Sequence, residues 1–305
     1  MGRAPTVELE GVDGQLFTLS GPGAGDRGVK LATDIQGLYD APIKTIYTAH
    51  ANEQGSTYQG KRMLHRDIAF GVHVAGAADS WEEVDSDWRL AFGYGLRTAR
   101  LWVQTDTSRR YLDIALASEP EVADPFKGHT LGYTKVVMKC IAADPWWYDQ
   151  PETFEWISPT DTTGGSTATG TIHVPHANPT IEPIYPQWVV QAATGARWTL
   201  PDFSFGSVQY DRATEDAARK ISLPGLLAGE HLFIDTDEAA KHEQVRSNID
   251  TQIYFRMNGV RFLYPLPAGL GAVDLPVSVS KAPAGVGIQL RLLRPFSRPW
   301  GMRLT

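Results

Sequence analysis

Residues 133–148 read YTKVVMKCIAADPWWY. The first ten form a long, largely apolar run rich in β-branched residues, the mark of a buried strand. The run drives straight into Ala143-Asp144-Pro145-Trp146-Trp147-Tyr148. Proline has no N–H to give a strand ladder, so the strand ends there and an aromatic turn follows.

Strand patterns extend on both sides of this stretch. Ile68, Phe70, Val72 and Val74 alternate cleanly. Val7 and Leu9 alternate with Glu8 and Glu10, and Asp13-Gly14 supplies a tight turn before Leu16, Phe17 and Leu19. Arg100–Thr105 and Tyr111–Leu116 read as two more strands around a polar turn. Residues 20–28 (SGPGAGDRG) form a glycine-rich loop, and residues 50–61 (HANEQGSTYQGK) are polar and turn-rich, as a hairpin arm would be. The spacing of Trp81, Val84, Trp88 and Phe92 predicts one amphipathic helix over about residues 80–92. Ser80 and Glu83 form a capping box at its start.

Residues 158–171 (SPTDTTGGSTATGT) hold almost nothing but turn and linker residues. They divide the chain into domains at 1–157 and 172–305, joined by a linker at 158–171. Short strands recur in the second half at Gln187–Gln191, Ala196–Leu200, Lys220–Leu223, His231–Asp235, Val273–Val279 and Ile288–Leu292. Asn258-Gly259, between Gln252–Met257 and Val260–Tyr264, carries the strongest hairpin signal. A weakly marked helix is open at 211–219. The fold class is mainly β, and the second half reads as a sandwich or jelly roll.

Composition narrows the function. The formal charge of -7 gives the chain no global attraction for nucleic acid or anionic lipid. The last 25 residues are the exception, with Lys281, Arg291, Arg294, Arg298 and Arg303 and no acid. No run of about 18 apolar residues is present, so no membrane span is expected, nor is an apolar leader seen near MGRAPTVELEG. The single cysteine, Cys140, sits in an apolar strand pattern and reads as a buried inert thiol, consistent with assembly in a reducing cytosol.

No catalytic constellation emerges. Gly21–Gly25 lacks the lysine and the helix of a phosphate loop. Gly164–Ala168 misses a serine elbow by one residue and lies in a linker pattern. His173 and His176 point to opposite faces of a strand and lack a third ligand. Asp235, Asp237 and Glu238 supply three of the roughly six oxygens that calcium takes, which leaves that ion open. No cofactor, metal site or enzyme activity is expected. Trp188 and Trp198 read as core, although exposed tryptophans would instead stack on sugars.

The order of motifs carries a resemblance. Asp87–Phe92 closes the helix, Leu101–Thr105 follows, and Arg109-Arg110-Tyr111-Leu112 opens another strand. Tyr133–Ala142 then ends in the Asp-Pro-aromatic turn. Gly60-Lys61-Arg62 and Arg66-Asp67-Ile68, Pro186-Gln187-Trp188, Leu226–Asp235 and Leu266–Gly269 complete the series. This series resembles the distal tail (Dit) family of long-tailed phages, particularly the minor tail proteins of actinobacterial phages. The resemblance implies an N-terminal split β-barrel with one helix and a peripheral galectin-like or jelly-roll-like β-sandwich. It also implies a homo-oligomer, six copies in a ring at the tail tip, between the tail tube protein and the tip proteins, with a channel that passes DNA without reading it. The resemblance carries no catalytic residue. Tyr58, Lys61, Arg62 and Arg66, on and beside the polar arm, are the candidate subunit-interface residues. The competing reading is a carbohydrate-binding module or receptor-binding protein recognising host glycans. It requires tryptophan or tyrosine exposed on one concave face.

Overall fold

The computed structural model describes residues 4–49, 54–76, 81–122, 124, 126–240 and 242–304. The chain divides into two compact units, and the first is discontinuous. It comprises residues 1–150 together with Phe296–Met302. The second comprises Pro151–Pro295 and Arg303–Thr305.

The first unit contains β1 (Thr6–Glu10), β2 (Leu16–Ser20), β3 (Val29–Leu31), β4 (Ile43–Thr48), β5 (Thr57–Met63) and β6 (Arg66–Ala75). Helix α1 (Trp81–Leu90) leads to β7 (Ala99–Gln104), β8 (Arg109–Leu116), β9 (Glu121–Val122), α2 (Lys127–Leu131), β10 (Tyr133–Ala142) and β11 (Trp147–Asp149). The main sheet has the order β2-β1-β7-β8-β10-β6-β3. It curves so that β2 and β3 come side by side without forming a ladder, which is a split barrel.

The stretch that opened the sequence reading is β10. It pairs with β6 over ten residues, from Tyr133 opposite Ala75 to Ala142 opposite Arg66. Side chains alternate across a strand. Val136, Met138, Cys140 and Ala142 therefore share the buried face with Val72, Phe70, Ile68 and Arg66. Burial pushes the Cys140 thiol up to about 12, which leaves it protonated and unreactive at neutral pH.

Helix α1 closes the barrel. Trp88 is fully buried and meets Phe17, Phe70 and Phe92 edge-on, at centroid distances of 5.3, 6.5 and 5.2 Å. Phe92 is buried just beyond the last helical turn, while Trp81 and Val84 are half-buried at the rim of the same core. The expected cap falls on Ser80, which lies outside the described residues.

The second unit is a sandwich of two antiparallel sheets. Its strands are β12 (Glu152–Ile157), β13 (Thr167–Val174), β14 (Gln187–Val190), β15 (Arg197–Pro201), β16 (Lys220–Ser222), β17 (Leu232–Asp235) and β18 (Val245–Ser247). A one-turn helix, α3 (Ile253–Arg256), precedes β19 (Val273–Ser280) and β20 (Gly287–Leu292). The sheets have the orders β12-β20-β14-β17-β18 and β13-β19-β15-β16. Alternate residues of both sheets interlock in one core, with Trp188 and Trp198 buried at its centre. Gly170 faces inward under Trp156; a Cβ there would meet the indole nitrogen at 1.9 Å, so only glycine fits.

Three expectations change. Residues 158–171 are not an inter-domain linker. Ser158 and Thr162 are buried, Thr162 exchanges hydrogen bonds with Ala282, and residues 167–171 already belong to β13. The units part at Gln150/Pro151 instead. Threonine is as much a strand residue as a linker residue, and serine and threonine hydroxyls can close a connection by bonding backbone. Asn258-Gly259 makes no hairpin. Its two left-handed residues, φ 52° and 79°, turn the chain out of α3. The same conformation serves either a hairpin or a helix end. Residues 211–219 form successive turns rather than a helix. Asp202, buried, accepts the Leu263 and Tyr264 N–H groups and pairs with Arg219, and Asp216 accepts the Tyr264 hydroxyl at 2.6 Å. These side-chain bonds hold the segment without a helical ladder.

Replacing Trp88 by alanine removes the centre of the first unit's aromatic cluster. Trp88→Ala is expected to cost about 3–5 kcal/mol in the unfolding transition of that unit, measured by urea denaturation. An unchanged midpoint would mean that the barrel does not depend on this packing.

Candidate subunit interface

β4 and β5 form a two-stranded ribbon of their own, apart from the barrel sheet. The expected arm thus begins earlier than residue 50, at Ile43; residues 50–53 lie outside the described ones. Its register pairs Ile43 with Met63, Lys44 with Arg62, Thr45 with Lys61, Ile46 with Gly60 and Tyr47 with Tyr58. A bulge at Gln59 shifts the ladder between Ile46 and Tyr47.

Every side chain of β4 is exposed, and β5 buries none. A two-stranded ribbon with no buried face is marginal in water. This one nevertheless displays Ile43, Ile46, Tyr47 and Tyr58, the tyrosines packed edge-on at 5.7 Å. Its strands carry three bases, Lys44, Lys61 and Arg62, and no acid. Lys44 stands directly opposite Arg62, and like charges facing across a ladder repel. Such a ribbon, with Tyr47 and Tyr58 toward its tip, suits a complementary surface that covers the rings.

The root of the ribbon is rigid. Arg66, the first residue of β6, is buried and does not reach outward as a subunit contact. Its Nε and Nη2 donate to the Pro145 carbonyl at 3.0 and 2.8 Å, and its Nη1 donates to the carbonyls of Gly37, Leu38 and Tyr39. Nη2 also donates to the Ser297 carbonyl at 2.9 Å. Burial pushes the Arg66 guanidinium down to about 10, so it stays charged at neutral pH. Gly37 lies so close to the Asp67 carbonyl that a Cβ would meet it at 1.9 Å.

Residues 296–302 act as a strap on this unit. Phe296 is buried 3.4 Å beneath the Arg110 guanidinium. Arg110, fully buried, donates to the carbonyls of Arg298 and Gly301 at 2.8 Å each and to Asp149 at 3.1 Å. Arg298 makes a two-point ion pair with Asp40, and Trp300 packs edge-on against Tyr39 at 5.3 Å. The hydrogen bond from Arg298 holds Asp40 below the usual carboxylate range. That contribution is present at neutral pH and is lost as pH falls through the lowered value; exposure and salt keep it small. The strap therefore braces the ribbon where it leaves the barrel. The basic tail is largely committed within the chain, since Arg294 likewise pairs with Glu152.

The other candidate chemistry resolves into structure. Asp235 accepts the Asp237 N–H and the Gln187 side-chain amide, and His173 pairs with Asp274 at 2.7 Å. Asp26 inside the glycine-rich loop accepts both the N–H and the hydroxyl of Thr18. The outward strand positions of both sandwich sheets carry no tryptophan or tyrosine. Phe233 faces outward on β17 but lies under Arg246, 5.0 Å from its ring.

The chain shares its fold with a phage distal tail hub protein. The Dit protein of phage SPP1, described as a paradigm of the hub adsorption apparatus of phages infecting Gram-positive bacteria, superposes with a TM-score of 0.56. It is 11% identical and covers 96% of this chain and 100% of its own. A chain of the phage P2 baseplate in its activated conformation superposes with a TM-score of 0.55 at 10% identity, covering 97% of this chain and 99% of its own. No protein-family model matches the chain. In sequence it is similar to minor tail protein Gp27 of Mycobacterium phage D29, 35% identical over 97% of this chain and 98% of that protein. Gp27 of Mycobacterium phage L5 matches to the same extent. The chain belongs to this family of mycobacteriophage minor tail proteins. It is a virion tail component, and its relatives are structural proteins rather than enzymes.

If the ribbon contributes nothing to its own protomer, neutralising its charge leaves the monomer intact. Lys44→Ser with Arg62→Ser is expected to change unfolding free energy by no more than about 0.5 kcal/mol in a denaturant titration. A larger loss would show that the ribbon packs on its own unit.

Proposed function

We propose that this chain is the structural hub of a long-tailed phage tail tip, a ring of six copies joining the tail tube protein to the tip proteins. The observation that carries the reading is the β4–β5 ribbon, an apolar and basic element that buries nothing in its own protomer. A head-to-tail interface either closes into a circle or grows without limit, and a ribbon reaching around to the next copy ends the growth. Tyr58, Lys61 and Arg62 make that contact; Arg66 holds the ribbon's root. The first unit forms the ring and the sandwich lies on its periphery. The ring's channel passes genomic DNA, and its lining avoids clustered Lys and Arg, which would hold the phosphate backbone. Assembly takes place in the host cytoplasm, consistent with the single buried thiol.

Family membership and the shared hub fold support this reading, as does a sandwich whose tryptophans fill its core instead of a sugar platform. The test is reconstruction of the intact virion tail tip. The expected result is a sixfold ring of this chain at the junction of tube and tip, with an open axial channel. Absence of the chain from that junction, or its presence there without rotational symmetry, would contradict the proposal.

A further inference from the structure

The outer face of the five-stranded sandwich sheet carries a groove of about 350 Å³ that runs along β20, between β12 and β14. Gly287, Gln289 and Arg291 are the outward residues of β20. Gly287 forms the floor, opposite Ile157 of β12 and beside Gln191 at the end of β14. A Cβ on Gly287 would stand 3.6 Å from both Gln191 Oε1 and Ile157 Cγ1, inside the groove and clear of a clash. Its φ is not left-handed, so the backbone does not demand glycine there. The missing side chain is what leaves the space.

Three side chains along this groove have an acceptor atom already occupied. The Gly287 N–H donates to Gln191 Oε1 at 2.8 Å, and Arg291 Nε donates to Gln289 Oε1 at 2.7 Å. The Ala192 N–H donates to His231 Nδ1 at 3.2 Å, which puts the ring's proton on Nε2. In each case an obligate donor decides which atom faces the chain, so neither amide can be turned round and the tautomer is fixed. Among the described residues, the Gln191 and Gln289 amide nitrogens, His231 Nε2 and the terminal Arg291 nitrogens then have no partner. Glu155, exposed and opposite Gln289, is the one carboxylate that lines the groove.

We propose that this groove binds an extended acidic segment of a partner protein. Arg291 takes a carboxylate, the Gln191, Gln289 and His231 donors take main-chain carbonyls, and Glu155 takes a main-chain N–H. The excess of donors selects an acceptor-rich ligand, and a free guanidinium fork matches a carboxylate in two-point geometry. From Gly287 to Arg291 a strand advances about 13 Å, the reach of four extended residues. A sugar would need an aromatic platform, and the ring on an outward position of this sheet, Phe233, is covered by Arg246. Donors held by the backbone lose little freedom when a ligand arrives.

The test follows the side-chain amide NMR signals of Gln191 and Gln289 in the full chain as an N-acetylated, C-amidated tetraglutamate peptide is added. Both signals should shift, and Arg291→Gln should weaken the binding at least about tenfold, the worth of one charge-assisted hydrogen bond. Gly287→Ala, which places a methyl in the groove, should weaken it too and leave the melting temperature unchanged. No shift, an equal response to the tetraglutamine peptide, or full binding by Arg291→Gln overturns the carboxylate site. Binding of trigalacturonate in place of tetraglutamate overturns the choice of a protein segment. In virions, benzoylphenylalanine in place of Ile157 should crosslink to a segment of another protein that carries Asp or Glu. Crosslinks to copies of this chain alone, or none, overturn the proposal. The ring is read separately by tail-tip reconstruction, so either claim can fail without the other.

Discussion

Two buried guanidinium groups hold this protein's first unit together. Arg66 and Arg110 each sit at the foot of a barrel strand, and each binds carbonyl oxygens of a segment that follows them by nearly two hundred residues or more. A buried guanidinium is costly unless its donors are satisfied. Here backbone carbonyls supply most of the acceptors, from the Asp-Pro turn, the 37–39 segment and the strap. Such acceptors are fixed in place and cannot swing away as a surface carboxylate can. Removing one partner of a buried ionic arrangement typically costs about 3–5 kcal/mol, because the groups left behind stay dry and unpaired.

The consequence reaches the proposed interface. The ribbon leaves the barrel between residues 40 and 66, and both feet are gripped: one through the Gly37, Leu38 and Tyr39 carbonyls and Asp40, the other through Arg66 itself. The strap contacts both, by Ser297 to Arg66 and Arg298 to Asp40. A ribbon that buries nothing of its own depends on its root for direction. Residues 296–302, distant in sequence, therefore complete the unit from which the ribbon projects.

Much of this was readable in the sequence, and the failures have physical causes. The alternation of Ile68, Phe70, Val72 and Val74 gave β6 its buried face. Arg66 shares their parity and Arg110 shares that of Leu112 and Ile114, so both buried arginines were marked by position although their charge suggested surface. β4 escaped notice because six exposed residues, IKTIYT, show no alternation of burial to read. Thr167–Thr171 passed for linker because threonine serves both linkers and outward strand faces. The return of Phe296–Met302 to the first unit leaves no local trace, since nothing in Pro-Phe-Ser-Arg-Pro-Trp distinguishes a strap from an end. The aromatic cluster of α1 was legible from helical spacing, and the buried Trp188 and Trp198 from residue type alone.

Amide hydrogen exchange on Arg110→Met in the full-length chain tests the role of the strap most directly. The substitution keeps the side chain's bulk and removes every donor to Arg298, Gly301 and Asp149. The account predicts faster exchange across residues 296–302, β11 and the root of the ribbon, with β14 and β20 of the sandwich protected as before. Unchanged protection of the strap and the ribbon root would contradict it.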